Sequence, residues 1–298
     1  MRAEKDFYAD KYNNWAYRES GQRRPGGRIR LLALVLLVLI AGGGLFMGRL
    51  GLPAVGGGPD LDNTSAALGY GWPRRLSADS EGLFYWQRRQ QELAEAAAQI
   101  QVAVYCTHSS ESYTSYSGQP KVYGELGGVY RGAAALKAGL EAAGFGVVVD
   151  ETIHDWPDWN KAYSNSLQTA ERLLAAYPEL KILIDLHRDA GVSREASVAE
   201  INGRSAARIM LVCGSNQRYN NDNWQQNKAF MEEIAAKMEE LYPGLLRRVA
   251  VQAGRYNQHL SPRAILIELG STENTIEEVE YSGRLLAEVL RQVLQEQG

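Results

Sequence analysis

The chain has 298 residues, enough for one large domain or two small ones. With 45% apolar residues, 22% charged residues and a net charge of −3, it is not a mostly disordered chain, and no global field draws it to nucleic acid. Two cysteines, Cys106 and Cys213, exclude a disulfide scaffold and a CxxC-type zinc finger. A hydrolytic metal site would have to draw on four histidines: His108, His154, His187 and His259.

Charge is unevenly spread. Residues 1–30 carry eight Lys/Arg against four Asp/Glu, a net of +4, and the remainder carries a net of −7. Arg23, Arg24, Arg28 and Arg30 precede the uncharged run LLALVLLVLIAGGGLFM at 31–47. Seventeen residues at about 1.5 Å per residue reach roughly 26 Å, near the lower length for a membrane-spanning helix. A cleaved signal peptide is the competing reading. Against it, the apolar run starts some 30 residues in, behind a polar stretch, and no Ala-x-Ala precedes a processing site, although Gly42–Gly44 leaves cleavage open. The expected layout is a basic cytoplasmic tail (1–30), a single transmembrane anchor (31–48), a linker with a lead-in helix (49–99) and a catalytic domain (100–298) outside the cytoplasmic membrane. The linker is Gly-, Pro- and Ser-rich up to residue 79, and residues 80–98 read as a helix with a thin apolar face.

From residue 100 short β-rich runs follow one another: 100–107, 145–153, 181–187, 207–214, 247–252 and 264–270. Helical stripes lie between or after them at 160–177, 224–241 and 275–296, the last with Asn274 as its expected N-cap. Strands alternating with helices predict an α/β fold: a single, mostly parallel sheet with mixed edges and helices on both faces. Asn202-Gly203 between β-like arms predicts a hairpin. Both cysteines fall on β-rich runs and read as buried free thiols.

In open α/β sheets, ligands gather at the carboxyl ends of the strands. His108 and Glu111 follow the first strand, His154 the second, His187 ends the third, and Glu268 sits near the end of the last. One such histidine alone reads as a structural residue; two of them with two carboxylates suggest a metal site. Glu268 interrupts an apolar strand, and a buried carboxylate needs a partner or stays protonated. Three protein ligands plus a water, with a separate carboxylate as base, is the donor set of a catalytic zinc, and His108, Glu111, His187 and Glu268 supply those four roles. Asp185, two residues before His187, either orients that ligand or pairs with Arg188 as a structural carboxylate. No GxSxG, P-loop or Rossmann glycine motif occurs.

The strings VYCTHSSESY (104–113), HDWPDWNKAYSNS (154–166), ILIDLHRDAG (182–191), CGSNQRYNNDNWQQNKAF (213–230), LYPGLLRRV (241–249) and RYNQHLSPRAILIELGSTENTIEE (255–278) together resemble the stage II sporulation protein P family. The resemblance runs from about residue 100 to the C-terminus. It implies a zinc-dependent N-acetylmuramoyl-L-alanine amidase that removes the stem peptide from peptidoglycan, in a family of which some members are credited with endopeptidase action. It also implies work in engulfment beside a glycan-cleaving partner and a membrane scaffold protein. Residue by residue, His108 and His187 match zinc-ligand positions, Glu111 is the candidate carboxylate ligand, and Glu268 matches the catalytic glutamate. Cys106 stands where the family often has histidine. Two other classes remain in play: a non-catalytic peptidoglycan-binding scaffold of the same fold, and another cell-wall metallopeptidase, such as one acting on a free C-terminus.

The basic flank of the apolar run predicts a cytoplasmic N-terminus. Protease added to intact protoplasts should then digest the region after residue 80, and protection of that region until lysis would reverse the orientation.

Overall fold

The structure is a computed structural model that describes residues 80–296. The basic tail, the apolar run 31–48 and the tether up to residue 79 lie outside the described residues. Among the described residues no helix is long and apolar enough to cross a membrane. The lead-in helix, α1, spans Ser80–Ala98, and its Phe84, Tyr85, Trp86 and Leu93 are exposed.

Six strands form the main sheet: β1 (Ile100–Tyr105), β2 (Gly146–Val149), β3 (Ile182–Asp189), β6 (Ile209–Gly214), β7 (Leu246–Gln252) and β8 (Ala264–Ser271). Their order is β2-β1-β3-β8-β6-β7. Every neighbouring pair is parallel except β6 and β8, which run antiparallel. This is the mostly parallel, mixed sheet expected from the alternation of strands and helices. β3 and β8 lie at its centre and are buried along their whole length, which explains their near-continuous apolar runs. The expected hairpin is present as β4 (Val198–Ile201) and β5 (Arg204–Ala207), closed by Asn202 and Gly203, both at positive φ (52° and 73°).

Helices cover both faces unequally. On one face α2 (Val129–Ala142), α4 (Trp224–Leu241) and α5 (Ile276–Glu296) pack on alternate residues of the sheet, among them Val104, Ile184, Leu211, Ile267 and Leu269. On the other, α3 (Ala162–Ala176) sets Ala170 and Leu173 against Ala103, Tyr105, Leu183 and Ala264. Past α3, the same face holds a small cluster of Met210, Val212, Ala250, Tyr256 and Leu266. α2 is absent from the helical stripes read in the sequence. Its buried face is made of Val129, Gly132, Ala133, Ala135, Leu136 and Leu140, and the small residues in that set lower its hydrophobic contrast.

The expected cap of α5 needs correcting. Asn274 turns back, its Oδ1 accepting from the Ser271 amide at 2.7 Å, and Thr275 closes the helix instead. Thr275 Oγ1 accepts from the Glu278 amide (3.3 Å) while Glu278 Oε2 accepts from the Thr275 amide (3.0 Å). This reciprocal pair is a capping box, satisfying two amides where Asn274 would satisfy one.

α2 and α5 approach closely because glycine faces glycine: a Cβ on Gly283 would fall 2.8 Å from the Gly132 carbonyl oxygen. That oxygen is backbone and cannot yield. Gly283→Val should therefore push the helices apart and cost about 1–3 kcal/mol, the usual cost of overpacking. A lowered urea midpoint with unchanged slope would show it, and an unchanged midpoint would mean that the crossing has room for a side chain at 283.

Candidate active site

β1 ends at Tyr105, and the chain turns through 106–110 before meeting Lys121 in a short bridge at Glu111. Buried carboxylates hold this turn. Asp185 of β3 accepts from the Thr107 amide (2.8 Å) and hydroxyl (2.7 Å). Asp155 accepts from the Ser109 hydroxyl (2.8 Å) and from the Ser110 amide and hydroxyl (3.1 and 2.6 Å). Gly127 packs so closely beneath the turn that a Cβ there would sit 1.9 Å from the Glu111 carbonyl oxygen. The Glu111 amide donates to the His108 carbonyl at 3.0 Å, so the three-residue spacing of the sequence is one turn of backbone.

The four residues singled out from sequence come together at the carboxyl end of the sheet. His187 of β3 and Glu268 of β8 are register partners, so both project from the face that carries α3. His187 Nδ1 lies 3.4 Å from Glu111 Oε2, and the rings of His108 and His187 are 5.2 Å apart, edge to face. All four are buried. His187 Nε2 lies 2.9 Å from Asp185 Oδ1, close but not aligned for a hydrogen bond. Burial alone would lower the His187 pKa; the charge of Asp185, and then Glu111, outweigh it and push the ring up to about 10.

The structure does not pair Asp185 with Arg188: Asp185 accepts from Thr107 and stands against His187. Arg188 points elsewhere and is itself buried. Its amide donates to Glu111 Oε2 (3.0 Å), and its guanidinium donates to the carbonyls of Ser112 (2.9 Å) and Pro120 (2.6 Å). Glu111 is thus held from two sides, by Arg188 and by His187. His154 sits outside the group. Its Nδ1 and Nε2 are engaged by the Cys106 carbonyl (2.8 Å) and the Thr169 hydroxyl (3.0 Å), as in a structural histidine. Cys106 and Cys213 are free and buried, as expected.

Sequence reasoning missed the aromatic wall. Trp159 stacks on His108 (3.9 Å between centroids, 14° between planes), and Lys121 Nζ lies over the Trp159 ring at 3.1 Å. Tyr163 meets His108 edge-on and lies parallel to the His187 ring. Trp159 and Tyr163 belong to the HDWPDWNKAYSNS stretch, where density of aromatics was the available signal.

Among the described residues, no group of three or more His, Cys, Asp or Glu side chains is assembled as a metal cage. The chemistry of the donors still suits a divalent cation. Two imidazoles lie side by side with a carboxylate against one of them, and the buried carboxylates Glu111, Asp155, Asp185, Asp189 and Glu268 outnumber the buried Arg188 and the largely buried Arg247.

A family model described as stage II sporulation protein P matches residues 77–291. The chain belongs to this family. Stage II sporulation protein P of Bacillus subtilis (strain 168) is 29% identical over 212 residues, which is 64% of this chain and 50% of the relative. The chain thus spans about half the length of the curated relative it matches. Among solved structures, the N-acetylmuramoyl-L-alanine amidase AmiC2 of Nostoc punctiforme is 14% identical over 66% of this chain and 98% of its own, with a TM-score of 0.43. The CwlD amidase of Clostridioides difficile, solved in complex with the GerS lipoprotein, is 9% identical over 65% and 98%, with a TM-score of 0.45.

Arg188 is the buried cation on which Glu111 and two loop carbonyls depend. Arg188→Met should cost about 3–5 kcal/mol, the range for removing one partner of a buried ion pair. Chemical denaturation reads this directly, and a loss below about 1 kcal/mol would mean that the loop does not rely on it.

Proposed function

We propose that the chain is a membrane-anchored, zinc-dependent peptidoglycan hydrolase of sporulation that cleaves the amide between N-acetylmuramic acid and L-alanine. One observation carries this reading: Glu268 lies buried in register with His187, on the face and at the strand ends where His108 and Glu111 also gather. A binding scaffold has no use for a carboxylate buried beside the His187 imidazole, because that burial costs stability without adding contact surface.

Zinc held by His108, Glu111 and His187 would supply Lewis acidity to the scissile carbonyl. The chain's own groups do the rest. Glu268 takes a proton from the attacking water as its oxygen bonds to the carbonyl carbon. It then returns that proton to the L-alanine nitrogen as the C–N bond breaks, leaving a lactyl carboxylate and a free amine. Asp185 holds the His187 ring in place, and the Arg188 amide holds Glu111. Trp159 fixes the plane of His108. The apolar run 31–48 would tether this machinery to the outer face of the membrane, within reach of the wall and of a glycan-cleaving and a scaffold partner in engulfment.

Glu268→Gln keeps shape and hydrogen bonding but removes the base. Release of stem peptides from purified sacculi by the full chain should fall about 10²- to 10⁴-fold, with an unchanged unfolding midpoint. Elemental analysis should find zinc retained in Glu268→Gln and largely lost in His187→Ala. Near-normal release by Glu268→Gln would return the chain to the scaffold reading. Products lacking the free lactyl group would point to a different metallopeptidase.

A further inference from the structure

On the sheet face that carries Glu268, the next residue across is Met210 of β6, and the next after that is Arg248 of β7. The β6–β7 register slips by one residue at this point: Ile209 pairs with Leu246, and Met210 with Arg248. Arg247 is the extra residue, and the bulge turns two consecutive guanidinium groups towards Met210. Arg247 Nη2 lies 3.1 Å and Arg248 Nε 3.3 Å from its sulfur. Arg247 is ion-paired with the buried Asp189 at the end of β3. Arg248 is exposed. Bulges beside a site commonly re-aim a side chain in this way.

The strand order gives the site two unlike sides. Two and three strands from β8 in one direction lie β1 and β2, whose following loops carry an aromatic rim: Tyr123 after β1 and Trp156 after β2, 61% and 53% exposed, with ring centroids 6.4 Å apart. Two strands away in the other direction lies β7 with its guanidinium pair. The substrate proposed above is equally two-sided: a sugar chain with apolar ring faces, and a peptide whose second residue is acidic. Arg248 sits about 10 Å from Glu268 along the row, at about 4.8 Å per strand. A carboxylate one residue beyond the scissile amide lies about 7 Å from the reacting carbon in an extended peptide, which a long arginine side chain can meet.

Building on the hydrolase reading, we infer that Arg248 anchors a carboxylate of the leaving peptide, so that the peptide runs over β6 and β7 while the glycan lies against the aromatic rim. A guanidinium selects a carboxylate over an amide by charge-assisted hydrogen bonds.

The test pairs two muropeptides that differ only at the second residue, D-glutamate against D-isoglutamine, whose α-carboxylate has become an amide. Binding and cleavage are measured in parallel with the full chain. Wild type should favour the acid by about tenfold or more in both Kd and kcat/KM. Arg248→Ala should shrink the preference to within about twofold, with the unfolding midpoint unchanged. Lys121→Ala, on the aromatic side, should leave the preference intact. No preference in wild type, a preference that survives Arg248→Ala, or one that Lys121→Ala abolishes overturns the assignment. Cleavage without discrimination removes the anchor and keeps the hydrolase. Discriminating binding without cleavage removes the hydrolase and keeps the anchor. Absence of both removes both.

Discussion

Asp185 joins β1 to β3 beyond the end of their ladder. One of its oxygens accepts from the Thr107 amide, the other from the Thr107 hydroxyl, and the first also stands against His187. A buried carboxylate that lost these partners would carry an uncompensated charge. Its position therefore sets the start of the loop bearing His108 and Glu111 and, at the same time, the direction of the His187 ring. The rest of the site follows from this. Glu111 meets His187 only because the loop leaves β1 at the angle that Thr107 imposes, and Arg188, the residue after His187, is then placed to hold Glu111 through its amide.

The negative charge gathered here explains the packing around it. Asp155 is bound by Ser109 and Ser110, Asp189 by Arg247, Glu111 by Arg188 and His187. Asp155 ties one loop to another, Glu111 ties its loop to β3, and Asp189 ties β3 to β7, so the site is held by polar bonds where the sheet ends and apolar packing can no longer reach. The opposite face has no such demand, and there three helices pack on alternating Val, Ile and Leu residues. α3 covers only part of the functional face; towards β6 and β7, Tyr256 packs with Met210, Val212 and Ala250, and the long side chains of Arg247 and Arg248 reach Met210.

Much of this was legible in the residues. The strands announced themselves because β3 and β8 are buried on both faces and so read as unbroken apolar runs, against which Asp185, His187 and Glu268 stood out. The register of His187 with Glu268 is a pairing between residues 81 positions apart, which no local pattern encodes. Helix α2 was hidden by its glycines and alanines, which close contact with α5 requires. Asn274 looked like a cap by residue type, but Thr275 and Glu278 satisfy two amides together. Trp159 was legible only as one of a dense set of aromatics, since its stacking on His108 depends on two distant segments meeting in space.

Cys106 stands where the resemblance to the family implied histidine. Its side chain lies in the apolar layer with Val104, Leu136 and Leu186, on the face packed by α2, and burial pushes its thiol well up from the ordinary range. His108, two residues on, lies past the end of the strand, where the turn carries it over to His187 on the opposite face. The alternation that places side chains at i and i+2 on one side of a strand has ended by then. A donor at 106 would face the helices, away from Glu111 and His187. A small, weakly polar thiol suits that layer, where its polar neighbour is the Tyr130 hydroxyl. The backbone of Cys106 does the polar work instead, its carbonyl engaging His154 and pinning the second loop to the first. The grouping of His108, Glu111 and His187 is therefore built independently of the residue at 106.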